Sequence, residues 1–238
     1  MINDKIVYIK SGLGKFIGPV SEQEAEALLS YYEMLSDKNK VMNLTRIEGL
    51  EDTVQKHFAD SLIIEKFVDI TSVRKMLDLG SGAGLPGIPL AIRFPHLSVL
   101  SLDSVGKKLN FQKETAEALG LGNFEILHAR AEDAAHDRKL RESFDLVTAR
   151  AVANLSTLAE YTLPFLNRNG LLAAYKGPGA EEELNEAKKA IRLLGGTVEN
   201  VRNYRIDDLE RTLILIRKTK ATPAAYPRRA GTPLKEPL

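Results

Sequence analysis

The sequence contains no cysteine. That excludes disulfides and thiolate metal sites. It also removes the nucleophile with which enzymes that methylate carbon 5 of a pyrimidine generally attack the ring. Histidine is sparse: His57, His96, His128 and His136 lie far apart and show no metal-ligand spacing, so no metal is expected. There is no apolar run long enough to span a bilayer, and Met1-Ile2-Asn3-Asp4-Lys5 lacks the basic start and apolar block of a signal peptide. The expectation is a cytoplasmic protein with no membrane partner. Charge of one sign is lacking too, because the net value of +1 is too small to argue for nucleic acid from the total.

The distribution of charge says more than its sum. From Arg217 onward six basic residues (Arg217, Lys218, Lys220, Arg228, Arg229, Lys235) face one acidic residue, Glu236. Such a local surplus can serve as a phosphate-binding edge, or it can be a solvated tail. The 238 residues, 44% hydrophobic and 27% charged, suffice for one good globular core with an appendage.

The chain is organised around Met76-Leu77-Asp78-Leu79-Gly80-Ser81-Gly82-Ala83-Gly84-Leu85-Pro86-Gly87. Residues 73–79 read as a buried strand, the glycines as a turn, and residues 88–94 as a helix. Strand, glycine turn and helix together make a nucleotide site, because the backbone can approach a ligand closely and the amides at the helix start face it. Two templates fit. Gly82-x-Gly84-x-x-Gly87 satisfies the dinucleotide fingerprint, which would mean an NAD-dependent oxidoreductase. Asp78-x-Gly80-x-Gly82-x-Gly84 resembles motif I of the S-adenosylmethionine-dependent methyltransferases, in which the acidic residue lies near the cofactor's amino acid end and orders the loop. An aspartate between two leucines of a buried strand is costly without partners, which favours a functional Asp78 over a plain helix cap.

Ahead of this core, residues 1–18 read as a short arm. Ser21-Glu22-Gln23-Glu24 is a capping box, opening a helix whose face carries Ala25, Leu28, Leu29, Tyr32 and Leu35. Residues 51–67 form a second helical segment with His57, Asp60 and Ser61. These three lie within one turn and no Gly-x-Ser-x-Gly elbow is present, so the spacing predicts a polar patch against the main domain, not a hydrolytic triad. Residues 1–72 are thus expected to form an N-terminal helical cap, 73–220 the main domain and 221–238 a basic, proline-rich tail held extended.

From residue 73 strands and helices alternate, which predicts a parallel sheet covered on both faces. Residues 97–102 form a second strand ending at Asp103, placed to accept from both ribose hydroxyls of a nucleoside cofactor. Residues 124–128 form a third, followed by Arg130-Ala131-Glu132-Asp133. Residues 144–151 form a fourth, running into Arg150, and residues 170–175 a fifth, followed by Lys176. Residues 197–204 and 211–217, separated by Asp207-Asp208, read as an antiparallel pair. A dehydrogenase would normally continue into a substrate domain, whereas this sequence is nearly finished there.

Asn43-Leu44-Thr45, His57-x-x-Asp60-Ser61-Leu62, Gly80-Ser81-Gly82-x-Gly84-x-Pro86-Gly87, Asp103-Ser104-x-x-Lys107-Lys108, Arg150-Ala151-Val152-Ala153, Lys176-Gly177 and Tyr226-Pro227-Arg228-Arg229-x-Gly231-x-Pro233 occur in this order. From about residue 20 to the end, the sequence resembles the bacterial small-subunit ribosomal RNA methyltransferase G family, also called glucose-inhibited division protein B. The resemblance implies an α/β fold: a Rossmann-like class I S-adenosylmethionine-dependent methyltransferase sheet with helices on both faces. It implies methyl transfer from S-adenosylmethionine to N7 of a guanine in 16S ribosomal RNA, with that RNA or the small ribosomal subunit as partner. It implies cofactor contacts from Gly80, Leu85, Ala131, Glu132 and Arg150, to which position adds Asp78, Gly82, Gly84 and Asp103. Leu85 stands where members can carry phenylalanine. Arg150 and Lys176 are the expected positioning residues, with no general base, and Lys176, Arg228 and Arg229 are expected at RNA phosphates. A monomer is expected. A non-catalytic RNA-binding or assembly factor keeping this fold is the remaining alternative.

Overall fold

The computed structural model describes residues 2–238; Met1, the first residue of the expected arm, lies outside the described residues. The arm itself is a helix, α1 (Ile2–Gly14). Ile6, Ile9 and Leu13 bury one of its faces, a period that Gly12 and Gly14 disguise in the sequence. Gly12 is there for close approach, since a Cβ at that position would stand 3.1 Å from Val54 Cγ1. α2 (Glu22–Met42) starts at the capping box, with the Ser21 hydroxyl accepting from the Glu24 amide and the Glu24 carboxylate accepting from the Ser21 amide. The second helical segment changes pitch repeatedly: α3 (Leu50–Thr53), a π-helical stretch over Val54–Ala59, α4 (Asp60–Leu62) and a 3-10 turn over Ile63–Lys66. Wide turns of this kind re-aim side chains, and here they bury His57, Asp60 and Ser61.

One seven-stranded sheet follows, in the order β3-β2-β1-β4-β5-β7-β6. Its strands are β1 (Lys75–Leu79), β2 (Ser98–Asp103), β3 (Phe124–His128), β4 (Phe144–Arg150), β5 (Leu166–Lys176), β6 (Gly196–Ile206) and β7 (Leu209–Lys218). The first five pair in parallel, whereas β7 runs antiparallel to both β5 and β6. Parallel strands need crossovers, supplied by α5 (Gly87–Arg93), α6 (Gly106–Ala118), α7 (Ala131–Ala134) and α8 (Leu155–Thr162). α9 (Ala180–Leu193) then leads to the terminal hairpin.

Alternate residues of the strands feed two cores. Met76, Leu146, Ala173 and Leu215 face the side covered by α1, α2, the π-helical stretch, α5 and α6. Leu77, Val147, Ala174 and Ile216 face α8 and α9. Burial on both faces explains why these strands read as apolar runs. The strand order reverses between β1 and β4, whose carboxyl ends flank the crevice in which open α/β sheets bind ligands.

The tail does not stay wholly extended. Arg141 donates to the carbonyls of Tyr226 at 2.9 Å and Thr222 at 2.9 Å, and the chain closes with a single helical turn, α10 (Thr232–Lys235). Proline at the second position of that turn is compatible with helix, because no amide is needed there. Lys218 anchors the start of the tail from inside: its ammonium donates to Leu163 O at 2.6 Å and to Thr222, and burial pushes its pKa down to about 8.

Candidate functional site

The glycine turn leaves β1 with positive φ at Gly80 and Gly82, +69° and +60°. Gly80 lies so close to Val152 that a Cβ would stand 2.6 Å from that side chain, whereas a Cβ on Gly82 would enter open space. The turn is tied from beneath. Gln112 donates from Nε2 to Ser81 Oγ and to Gly82 O, both at 2.8 Å, and accepts from Ser101 Oγ. Tyr31, on α2, donates to Ala83 O at 2.8 Å. Neither residue was named from the sequence; a signal existed for Gln112, a polar residue between Leu109 and Ala116 on the buried stripe of α6, and none for Tyr31.

Asp78 is fully buried and works behind the turn, not in it. Its carboxylate accepts from the Gly87 amide at 2.8 Å and from the Thr148 hydroxyl at 3.0 Å, joining β1 to α5 and β4. Burial pushes its pKa up to about 7, against the pull of those two hydrogen bonds and of the Arg150 charge. Expected among the cofactor contacts, it orders the loop through the Gly87 amide.

Asp103 ends β2 with one carboxylate oxygen accepting from the Gly82 amide at 3.0 Å and the other from the Val105 amide at 2.8 Å. Its carboxylate therefore adjoins Gly82, where a Cβ would meet nothing. Ala131 and Glu132 start α7, and Glu132 Oε1 accepts from the Gly231 amide at 2.8 Å. Leu85, in the glycine turn after β1, is buried in the core.

Arg150 leaves the end of β4 and meets the helical cap. It donates from Nη1 to Asp60 Oδ2 at 3.0 Å, and its Nη2 stands 3.4 Å from His57 Nδ1. Burial, then the Arg150 charge, holds the His57 pKa down to about 3, so the imidazole is neutral. With Nδ1 facing a guanidinium, the proton is assigned to Nε2, which donates to Thr45 Oγ1 at 2.8 Å. Asp60 Oδ1 also accepts from Tyr204 at 2.8 Å, and Arg211 Nε stands 3.9 Å away. The expected polar patch between cap and sheet is therefore a network across α4, β4, β6 and β7. Lys176 is engaged as well, with Glu183 at 2.6 Å and Ala153 O at 2.7 Å.

These residues line a cleft of about 690 Å³ that includes Lys56, His57, Asp60, Arg150, Val152, Lys176 and Arg211. Val152, packed on Gly80, forms its boundary with the glycine turn. The candidate bases in it, His57, Asp60 and Glu183, are each bound, the first two within the network and Glu183 by Lys176 and the Leu155 amide, so the cleft is built for holding and not for abstracting a proton. At the tail, Arg228 is paired with Glu160 at 2.7 Å, and Arg229 is exposed without an ion pair among the described residues. No cluster of histidine, aspartate and glutamate suited to a metal occurs among the described residues.

A nucleoside cofactor fits this arrangement: the space over Gly82 is one that a Cβ would fill, and Asp103 adjoins it. The strand order opposes the oxidoreductase alternative, since a dinucleotide-binding sheet runs 3-2-1-4-5-6 and here an antiparallel β7 inserts between β5 and β6.

Comparisons with known proteins agree. The profile of the rRNA small subunit methyltransferase G family matches residues 24–214. The ribosomal RNA small subunit methyltransferase G of Lactobacillus johnsonii is 46% identical, with 95% of this chain and 96% of that protein aligned. Its counterpart in Bacillus subtilis is 44% identical over 96% of each. Among solved structures, a variant of the 16S rRNA (adenine(1408)-N(1))-methyltransferase of Catenulisporales acidiphilia aligns with TM-score 0.54 and 14% identity, covering 62% of this chain and 86% of that one. At that identity the likeness concerns the fold alone, a class I Rossmann-like methyltransferase fold.

Proposed function

Since the chain belongs to the small-subunit ribosomal RNA methyltransferase G family, and is an S-adenosylmethionine-dependent methyltransferase by that membership, we propose that it forms 7-methylguanine in 16S ribosomal RNA. Gly80, Gly82, Gly84, Leu85, Asp103, Ala131 and Glu132 hold the cofactor in this reading, Asp78 shapes the turn from behind, and Arg150 stands where the cofactor site and the cleft meet. S-adenosylmethionine supplies an electrophilic methyl group there.

The observation that carries the reading is the cleft beside the glycine turn, rich in donors and without an available base. Guanine N7 has an in-plane lone pair and no proton to lose, so alignment is what the protein must provide. Fixing such geometry can supply roughly 7 to 11 kcal/mol of a barrier. A guanine that presents N7 presents O6 on the same edge. Arg150, held by Asp60 and permanently protonated as arginine is, can donate to O6 and cannot act as a base. Lys56 and Arg211 line the same cleft and suit the flanking phosphates.

Mass mapping of 16S ribosomal RNA from a deletion strain tests this. Loss of one 7-methylguanine, restored by the intact chain, is the expected result. An unchanged 7-methylguanine content excludes the assignment.

A further inference from the structure

The tail is fastened by more side chains than a chain end requires. Glu160, on α8, is fully buried, and the hydrogen bonds its carboxylate accepts all come from Arg228: the backbone amide at 2.7 Å, Nε at 3.0 Å and Nη2 at 2.7 Å. A buried carboxylate is costly without a partner, and a two-pronged guanidinium is the partner that suits it. Three residues on, Gly231 adopts φ +85°, and its amide donates to Glu132 Oε1 at 2.8 Å. Thr157 donates to Pro233 O at 2.9 Å, and His136 Nε2 stands 3.0 Å from Pro227 O. Together with Arg141, these anchors all come from the stretch between β3 and the end of α8; Glu132 directly follows Ala131, and His136 and Arg141 lie in the connection from α7 to β4.

We propose that residues 226–233 form a latch that sets the adenosyl end of the cofactor pocket, with Arg228 as a positioning residue acting through Glu160, and Gly231 orienting Glu132. The proposal rests on the placement of Ala131 and Glu132 at that end. The Gly231 amide on Oε1 and the Tyr161 side chain, which also bonds this carboxylate, restrict how Glu132 can turn toward a ligand. A preset acceptor loses less freedom on binding than a mobile one. Arg228 therefore works inside the chain, and Arg229 is left to face outward.

Coupling between two sites is reciprocal, so an occupied pocket must tighten the latch. Hydrogen exchange on the full chain, with and without S-adenosylhomocysteine, reads this directly. The amides of Arg228 and Gly231 should exchange at least about tenfold more slowly with the ligand bound, the equivalent of one hydrogen bond to a charged group. Unchanged exchange at these amides, while the Ala131 and Glu132 resonances shift, overturns the latch. Binding that leaves the Ala131 and Glu132 resonances unmoved overturns the placement on which it rests, and a wild-type chain that binds no S-adenosylhomocysteine overturns the proposed function instead.

A variant gives the second readout. Arg228→Met should weaken S-adenosylhomocysteine and 5′-methylthioadenosine by the same factor, about tenfold, with turnover at saturating cofactor retained. Arg228→Lys, which keeps the charge without the fork, should fall between. A loss confined to S-adenosylhomocysteine, or a fall in turnover at unchanged affinity, contradicts the proposal.

Discussion

Asp60 and Arg150 meet at 3.0 Å across 90 residues of sequence, fastening the helical cap to the end of β4. Asp60 has a side-chain exposure of 5% and Arg150 one of 17%, so the pair is largely shielded from water. Breaking one partner of such a pair leaves an uncompensated charge, at a cost of about 3 to 5 kcal/mol.

Asp60→Ala should therefore lower the free energy of unfolding by an amount in that range and free Arg150 from its position. Equilibrium unfolding in urea checks it. A change below about 1 kcal/mol, the worth of a surface pair, contradicts a bracing role.

Asp103→Ala is expected to weaken S-adenosylmethionine binding twice over, by removing the acceptor for the ribose and by releasing the Gly82 amide it holds at 3.0 Å. Each hydrogen bond to a charged group is worth roughly 1.5 to 3 kcal/mol. Calorimetry should show at least a tenfold rise in Kd; an unchanged Kd removes Asp103 from the site.

The acid dependence of stability should carry a contribution from Asp78. Its folded pKa of about 7 lies above the value of 3.8 for an ordinary aspartate, so between these two the native state binds more protons than the unfolded one. The contribution is fully present below about pH 4 and is lost as pH rises through 7. Asp78→Asn, neutral throughout and able to keep both partners, should remove this slope from a series of melting curves. Identical slopes in the two proteins contradict a raised Asp78 pKa.

Arg229→Ala is expected to lower RNA affinity evenly across sequences and to reduce the slope of log affinity against log salt by about 1, the mark of one phosphate contact. Cofactor affinity should not move, in contrast to Arg228→Met. A wild-type slope contradicts a phosphate contact at Arg229.

Much of the sheet was legible because its signals are local: the capping box at Ser21, the alternation of strand and helix, and the glycine run after Asp78. α1 was missed because Gly12 and Gly14 read as breakers, and only the packed structure shows Val54 filling the space that Gly12 leaves. Arg228 and Lys176 looked free because their partners, Glu160 and Glu183, lie on later or earlier helices whose approach depends on tertiary packing. Asp78 was identified as functional for a sound reason, the cost of burying it, but burial itself places it behind the loop. Glu132 was singled out through the family resemblance, and its contact with Gly231 depends on how the tail folds back.

The most direct test of the account uses the purified chain, S-adenosylmethionine and small-subunit particles reconstituted with 16S ribosomal RNA containing either guanosine or 7-deazaguanosine, in which N7 is replaced by C–H. Nucleoside mass spectrometry should find 7-methylguanosine from the first and no incorporated methyl group from the second. Equal methylation of both, or a methyl group on any other atom of the guanosine, contradicts it.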